Sequence, residues 1–434
     1  MKKIFQYIML AVVTIVMASC TSDIEETTAT TAKNNVQLVV GEFPAFGDSQ
    51  TRAIGTPDPG KTSWAEGDEL LLEMTSKTLG TQYAAFKYNG SSWVLASGEL
   101  SYKEDEAPTF PHVYYAPNYK WEAGKLVLKE GKVAGTDEYI EGKANITPNG
   151  QAITVKFAEA TRNYSRLRIA TMPNKPITVD TEYFTPAGSS DMKWDQNYAL
   201  TSDEKGNAYL YGNFVTNSRV DVKYGEAPLA THKFSQATVN AKSYALDATV
   251  VSLTDEGITY DQIVEDVKKE LYAGKTYINL ILAPDVDEKT LEAINIGLKD
   301  ARDGSINLTL IGCKKIPSRG FMHFDMLQSI ALPDVTEIGG KAFSGCTRLQ
   351  KVVLGNLTKV YGNVVKNGIF DGCRTKDIDL VLSKDQKVMN GGETEGGYCW
   401  TADITKDYSG SDEHNGRVFL DYDFQSITCV YPVP

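Results

Sequence analysis

Few residues in this 434-residue chain are of types that could do chemistry: six cysteines, four histidines and a small number of acidic clusters. The histidines at 112, 232, 323 and 414 have no partner at a useful spacing, so no Ser/His/Asp or Cys/His arrangement can be nominated for nucleophilic catalysis. Neither a P-loop nor a strand-linked G-x-G-x-x-G is present. Glu104-Asp105-Glu106 and Asp285-Val286-Asp287-Glu288 have enough carboxylates for calcium but lack the ladder of an EF-hand. They read as a solvated loop and a helix start, where Asp287 and Glu288 favour the dipole. Cys313, Cys346, Cys373, Cys399 and Cys429 are odd in number and have no C-x-x-C spacing or nearby His, so no metal site is expected. In an oxidising compartment only Cys399 with Cys429 is a candidate bridge. The chemistry points to a binder without a cofactor, not to an enzyme.

Cys20 differs from the other cysteines because of what precedes it. Lys2 and Lys3 lead an apolar run from Ile4 to Met17 that closes on Ala18-Ser19, the pattern of a secretory signal over residues 1–19. That run is too short to span a bilayer, which needs roughly twenty residues. Met17-Ala18-Ser19-Cys20 resembles a bacterial lipobox, with Met17 where Leu is usual. The resemblance implies that Cys20 is acylated and becomes the first mature residue. Each buried CH₂ of such chains contributes about 0.8 kcal/mol, and two or more chains anchor stably. Residues 20–35 then read as a flexible acidic tether. The acidic stretch after Cys20 is similar to the surface-export signal of Bacteroidetes lipoproteins. The expected location is the outer membrane, lipid-anchored, at the cell surface or on a fimbrium.

Length and charge bound the rest. A chain this long exceeds one core, since cores stop growing near roughly 250–300 residues. Lys plus Arg number 44 against 56 Asp plus Glu, a net charge of −12, which repels a phosphate backbone and argues against nucleic acid. Hydrophobic residues at 42% suffice for a sizeable core. From Val36 to Val251 short alternating runs, such as Val36–Val40, Leu126–Leu128 and Ile153–Phe157, predict strands. Asn89-Gly90 between aromatic runs predicts a hairpin, and another strand pair is expected around Asp203–Asn207. One or two β-sandwiches follow, over 36–158 and 159–252.

Thr51-Arg52-Ala53, Ser63-Trp64-Ala65-Glu66-Gly67-Asp68, the Tyr88–Trp93 hairpin and Tyr114-Tyr115-Ala116-Pro117, in this order, resemble the amino-terminal domain of the fimbrillin-like family. Phe157–Ile169 and Ala241–Leu246 are similar to its second sandwich. The resemblance covers about half the chain. It implies cleavage between Arg52 and Ala53, and strand exchange with other pilus subunits. Pilins donate a carboxy-terminal strand, whereas that end of this chain changes character, which implies a tip or standalone subunit.

Beyond residue 253, Thr259–Gln262 predicts a capping box opening a helix with Ile263, Val267 and Leu271 on one face, stopped by Gly274. A second helix carries Leu291, Ile294 and Leu298. Then Leu308, Ile330 and Val352 recur every 22 residues, as do Leu310, Leu332 and Leu354; Cys313, Val335 and Leu357; and Ile316, Ile338 and Val360. Phe321 maps to Phe343, and Phe343-Ser344-Gly345-Cys346 returns as Phe370-Asp371-Gly372-Cys373. These turns resemble the BspA-like leucine-rich repeat family. Residues 253–434 are therefore expected to form an α/β solenoid with a helical cap at one end and the tail from Gly391 at the other. Cys346 and Cys373 are expected in its core.

The function expected is a surface adhesin or pilus-associated protein whose repeat strands present the partner-binding face to a protein on host or neighbouring cells. A second reading is glycan capture, with Trp400 in Gly396-Gly397-Tyr398-Cys399-Trp400 as the stacking platform. An enzyme is a third reading with no nominated site.

Overall fold

Apolar side chains at every second position leave a strand one face to bury, and the first two thirds of the chain pairs such strands into curved sheets. The computed structural model describes residues 37–44, 46, 60–103, 106–147, 150, 152–157, 162–301, 305–360, 368–382, 386–390, 397–401, 413–415, 418–420 and 422–429. The first nine strands are β1 (Gln37–Val40), β2 (Glu69–Ser76), β3 (Gly80–Tyr88), β4 (Trp93–Gly98), β5 (Thr109–Tyr115), β6 (Tyr119–Glu122), β7 (Lys125–Leu128), β8 (Ile140–Ile146) and β9 (Ala152–Lys156). Seven run in the order β1-β9-β8-β5-β2-β3-β4, while β6 and β7 form a separate hairpin. Leu70, Leu72, Val113, Ile140 and Val155 fill the interior. The expected hairpin at Asn89 is present: its Oδ1 accepts the amides of Ser91 and Ser92 at 3.0 and 2.8 Å, and Gly90 takes φ +92°.

The next seven strands are β10 (Ser165–Ala170), β11 (Pro176–Pro186), β12 (Lys193–Thr201), β13 (Asn207–Phe214), β14 (Arg219–Tyr224), β15 (Ala227–Lys233) and β16 (Ser243–Asp247). Their path is β15-β14-β11-β13-β10-β16, with β12 on β11. Strands do flank Asp203–Asn207, but they do not pair with each other. Instead β12 pairs with β11, and β13 with β10 and β11. The connecting loop is held elsewhere, because Thr171 N–H donates to Gly206 O and Ser202 Oγ to Met172 O. Tyr183, at φ +53°, marks where β11 changes partner, from β14 at 178–181 to β13 at 184–186.

The last third begins with β17 (Val251–Ser252), helix α1 (Tyr260–Tyr272), β18 (Tyr277–Ile281) and helix α2 (Glu288–Leu298). The predicted capping box is formed by Thr259 and Gln262, Asp287 caps α2, and Gly274 takes φ +81°. Parallel strands follow: β19 (Ile306–Ile311), β20 (Lys315–Ile316), β21 (Leu327–Leu332), β22 (Glu337–Ile338), β23 (Lys351–Leu354), β24 (Lys359–Val360) and β25 (Asp379–Leu382). The tail supplies β26 (Gln386–Asn390), β27 (Gly397–Thr401), β28 (Glu413–Asn415), β29 (Val418–Phe419), β30 (Tyr422–Asp423) and β31 (Ser426–Cys429). Two sheets result, β17-β18-β19-β21-β23-β25-β31 and β20-β22-β24-β26-β27-β28.

The register follows the sequence period: Leu308 pairs with Ile330 and Ile330 with Val352, while Ile316 pairs with Ile338 and Ile338 with Val360. Between the two sheets Phe321, Phe343 and Phe370 stack, centroids 6.0 and 5.4 Å apart with planes 6° and 20° from parallel. Cys346 Sγ donates to Phe321 O and Cys373 Sγ to Phe343 O, so these thiols hold neighbouring turns together. Phe424 and Tyr422 meet Phe370 edge-on and, with β31 on β25, close the far end.

Phe343 is fully buried in the middle of the stack. Phe343→Ala should cost about 3–5 kcal/mol in urea unfolding, as large-to-small changes at packed aromatics do.

Candidate functional site

The outward side of the β18-β19-β21-β23-β25 strands is the face expected to receive a partner. Its central row, in register, is Asn279, Thr309, Ala331, Val353 and Val381. Asn279, Thr309, Ala331 and Val353 are each no more than 3% exposed, because β15 of the second sheet lies across them. Ala227 packs on Ala331 and Val353, and Ile311 joins the core beneath the β10–β16 sheet. Three side chains donate across the contact: Thr309 Oγ1 to Pro228 O at 2.8 Å, Asn279 Nδ2 to Leu229 O at 2.9 Å, and Tyr277 OH to Thr231 Oγ1 at 3.1 Å, while Asn279 Oδ1 is buried without a partner. At one end Lys275 bridges Asp247 and Glu270 and donates to Thr249 Oγ1. The expectation that this strand face presents the binding surface is therefore corrected. A parallel sheet needs cover on both faces, and here the chain supplies the second cover itself.

The first two seven-stranded sheets meet at a second buried junction. Arg162 Nη2 lies 3.1 Å from Glu138 Oε1, with both side chains almost fully enclosed, and the Tyr164 hydroxyl also donates to Glu138. Burial and then the Glu138 charge push the Tyr164 hydroxyl well above its ordinary pKa. Burial works against the charge of Arg162, but Glu138 outweighs it and holds the guanidinium protonated. Phe46 sits on this cluster, 4.1 Å from Arg162 Cζ and 4.7 Å from Arg166 Cζ. Upstream, Phe43 packs edge-on against Trp64 and Tyr115, and β1 forms the sheet edge beside β9. Downstream, Gly60 at φ +68° is pressed so closely on Arg166 that a Cβ would fall 1.9 Å from its Nη1. The segments leading to and from residues 47–59 are thus fixed on one arginine pair.

Arg52, Ala53 and Cys20 lie outside the described residues, as do the signal and tether. Trp400 belongs to β27, opposite Gln386 and His414, but its side chain and those of Cys399 and Cys429 lie outside the description. No group of three or more potential metal ligands occurs among the described residues. Of the acidic clusters, Glu104 and Asp105 lie outside the described residues, while Asp287 and Glu106 complete local structure. Asp287 accepts the Thr290 amide, and Glu106 accepts from Ser76 Oγ, Thr78 Oγ1 and the amides of Lys77 and Thr78 at the β2–β3 turn.

Sequence reading passed over one residue. Trp194 on β12 is 70% exposed and lies 5.3 Å from the Tyr183 ring across the hairpin. The signal was present, since Met192 and Trp194 interrupt a polar turn that a buried core does not require.

No family model matches the sequence, and no curated protein matches it. Among solved structures, a crystal structure described as a "putative cell adhesion protein" from Bacteroides fragilis NCTC 9343 is similar over 51% of this chain and 94% of its own. The identity is 10% and the TM-score 0.28, a likeness that carries no argument about fold or function.

Two outcomes follow from these contacts. Thr309→Val leaves the Pro228 carbonyl buried without its donor and should cost about 1–3 kcal/mol in urea unfolding. At Glu106, desolvation opposes ionisation, but the hydroxyls of Thr78 and Ser76 and two amides outweigh it and hold the carboxyl at about 2. Because that folded-state value lies below the ordinary 4.5, its stabilisation is complete above about pH 4.5 and is lost as the pH falls toward 2. Glu106→Gln should flatten this acid limb in a pH series of the Thr78 amide resonance.

Proposed function

We propose that the chain is a lipid-anchored cell-surface adhesin, in which Cys20 is acylated, residues 20–35 are a tether, fimbrillin-like sandwiches form the stem and a leucine-rich repeat of the BspA-like kind forms the far end. One observation carries the reading: the repeat and the second sandwich share a buried, hydrogen-bonded contact, so the strand face serves as a joint. A joint of that kind makes a stiff display element, and recognition falls to the sandwich surfaces and the sides of the stack away from β15. The 22-residue register, the stacked phenylalanines and the Cys–carbonyl contacts support the repeat assignment.

The anchoring of Phe46 and Gly60 on either side of Arg52 supports a processing reading as well. Cleavage between Arg52 and Ala53 would free β1 and open an edge beside β9 for the strand of another subunit. Mass spectrometry of native protein from outer membranes should find a lipidated amino terminus at Cys20 if the protein stands alone. A terminus at Ala53 instead indicates assembly into a fibre, and a terminus at neither residue sinks both forms of the proposal.

Glycan capture is favoured as a second reading by Trp194, whose exposed ring beside Tyr183 offers the stacking platform first sought at Trp400. Trp194→Ala should abolish binding on a glycan array; a positive array that the substitution leaves unchanged removes this reading.

A further inference from the structure

A cleft of about 450 Å³ lies where the β6–β7 hairpin of the first sandwich faces the β11–β12 hairpin of the second. Its volume falls within the range of about 300–1,000 Å³ common for binding sites, and such sites favour domain junctions. Leu126, Leu128, Val133 and Pro186 give it an apolar floor, and Lys132 and Lys193 stand among its lining. Leu128 and Val133 are 40% and 41% exposed, so this floor is open to water. The lining contains no carboxylate, and neither lysine enters an ion pair among the described residues. Two ammonium groups thus stand over an apolar floor in a chain of net charge −12.

Both walls of the cleft are also strand edges. Among the described residues β7 pairs only with β6, and β12 only with β11, so each has one side without a ladder partner. Leu126 and Leu128 are two apart on β7 and therefore point the same way. Lys193 and Gln196 bring β12 to the opposite wall. An unpaired edge offers main-chain donors and acceptors to any extended chain, and pockets for alternate side chains then set its specificity.

We infer that this cleft docks an extended acidic peptide segment of a partner protein, added as a strand along β12 with its apolar side chains on the Leu126–Val133 floor and its carboxylates at Lys132 and Lys193. The inference rests on the adhesin reading and names the partner chemistry. A peptide is favoured over a sugar polymer by the aliphatic floor and the free ladder edge, which a sugar would not use.

The test is calorimetric titration of the full chain with a synthetic peptide of alternating Glu and Val, against its Lys/Val counterpart and a Glu/Val peptide N-methylated at alternate residues. Binding of the Glu/Val peptide is expected, with no binding of the other two. The exposed pair Lys132→Gln and Lys193→Gln should weaken it about tenfold without changing the unfolding midpoint. Equal binding of the Lys/Val or N-methylated peptide, unchanged affinity in the lysine variant, or binding of polygalacturonate in place of the peptide would each overturn the inference. Adhesion of cells displaying the lysine variant separates the two claims, since retained adhesion with lost peptide binding leaves the adhesin reading standing without this cleft as its contact.

Discussion

Everything in the last two thirds of the chain is built around one contact, the seating of β15 on the outer face of the parallel sheet. The inner face of that sheet is satisfied by the repeat's own core, with Leu308, Leu310, Ile330, Leu332, Val352 and Leu354 all buried. Its outer face would be a liability if left wet, because Ala331 and Val353 contribute apolar area there. Ala227 covers that area at close range, which the small side chain at 331 permits. Thr309 and Asn279 then satisfy the carbonyls that the contact takes out of water.

The Arg162–Glu138–Tyr164 cluster plays a comparable role between the first two sheets, by different physics. A buried ion pair adds little net stability, but removing one partner leaves a charge without compensation. Such a pair selects one arrangement of the elements that supply it. Here those elements are the β8 approach, the β10 approach and the Phe46 segment, which meet on a single guanidinium. The cleft under Lys132 and Lys193 lies beside this same junction, between hairpins whose separation the cluster helps to fix.

Much of the fold was legible in the sequence. The 22-residue recurrence fixed the parallel register at Leu308, Ile330 and Val352, because each turn must present the same apolar residue to the same core layer. Thr259 and Gln262 declared the start of α1, since a capping box is a local motif. What could not be read was which elements meet across long separations. The change of β11 from β14 to β13 as a partner falls at Tyr183, with its positive φ, and the burial of the repeat's outer face depends on a strand some eighty residues earlier. The outer row did carry a warning. Asn279, Thr309, Ala331 and Val353 are small or apolar where a water-facing row would be charged, a composition that asks for a partner without saying which.

Hydroxyl-radical footprinting of the intact protein tests the central claim most directly, by comparing oxidation of outward-facing Val353 on β23 with that of exposed Val94 on β4. The packing described here predicts that Val353, at 2% exposure, is protected to the level of core Leu332 while Val94, at 45%, is oxidised freely. Oxidation of Val353 at the rate of Val94 under native conditions would show that the strand face is open, and would contradict the account.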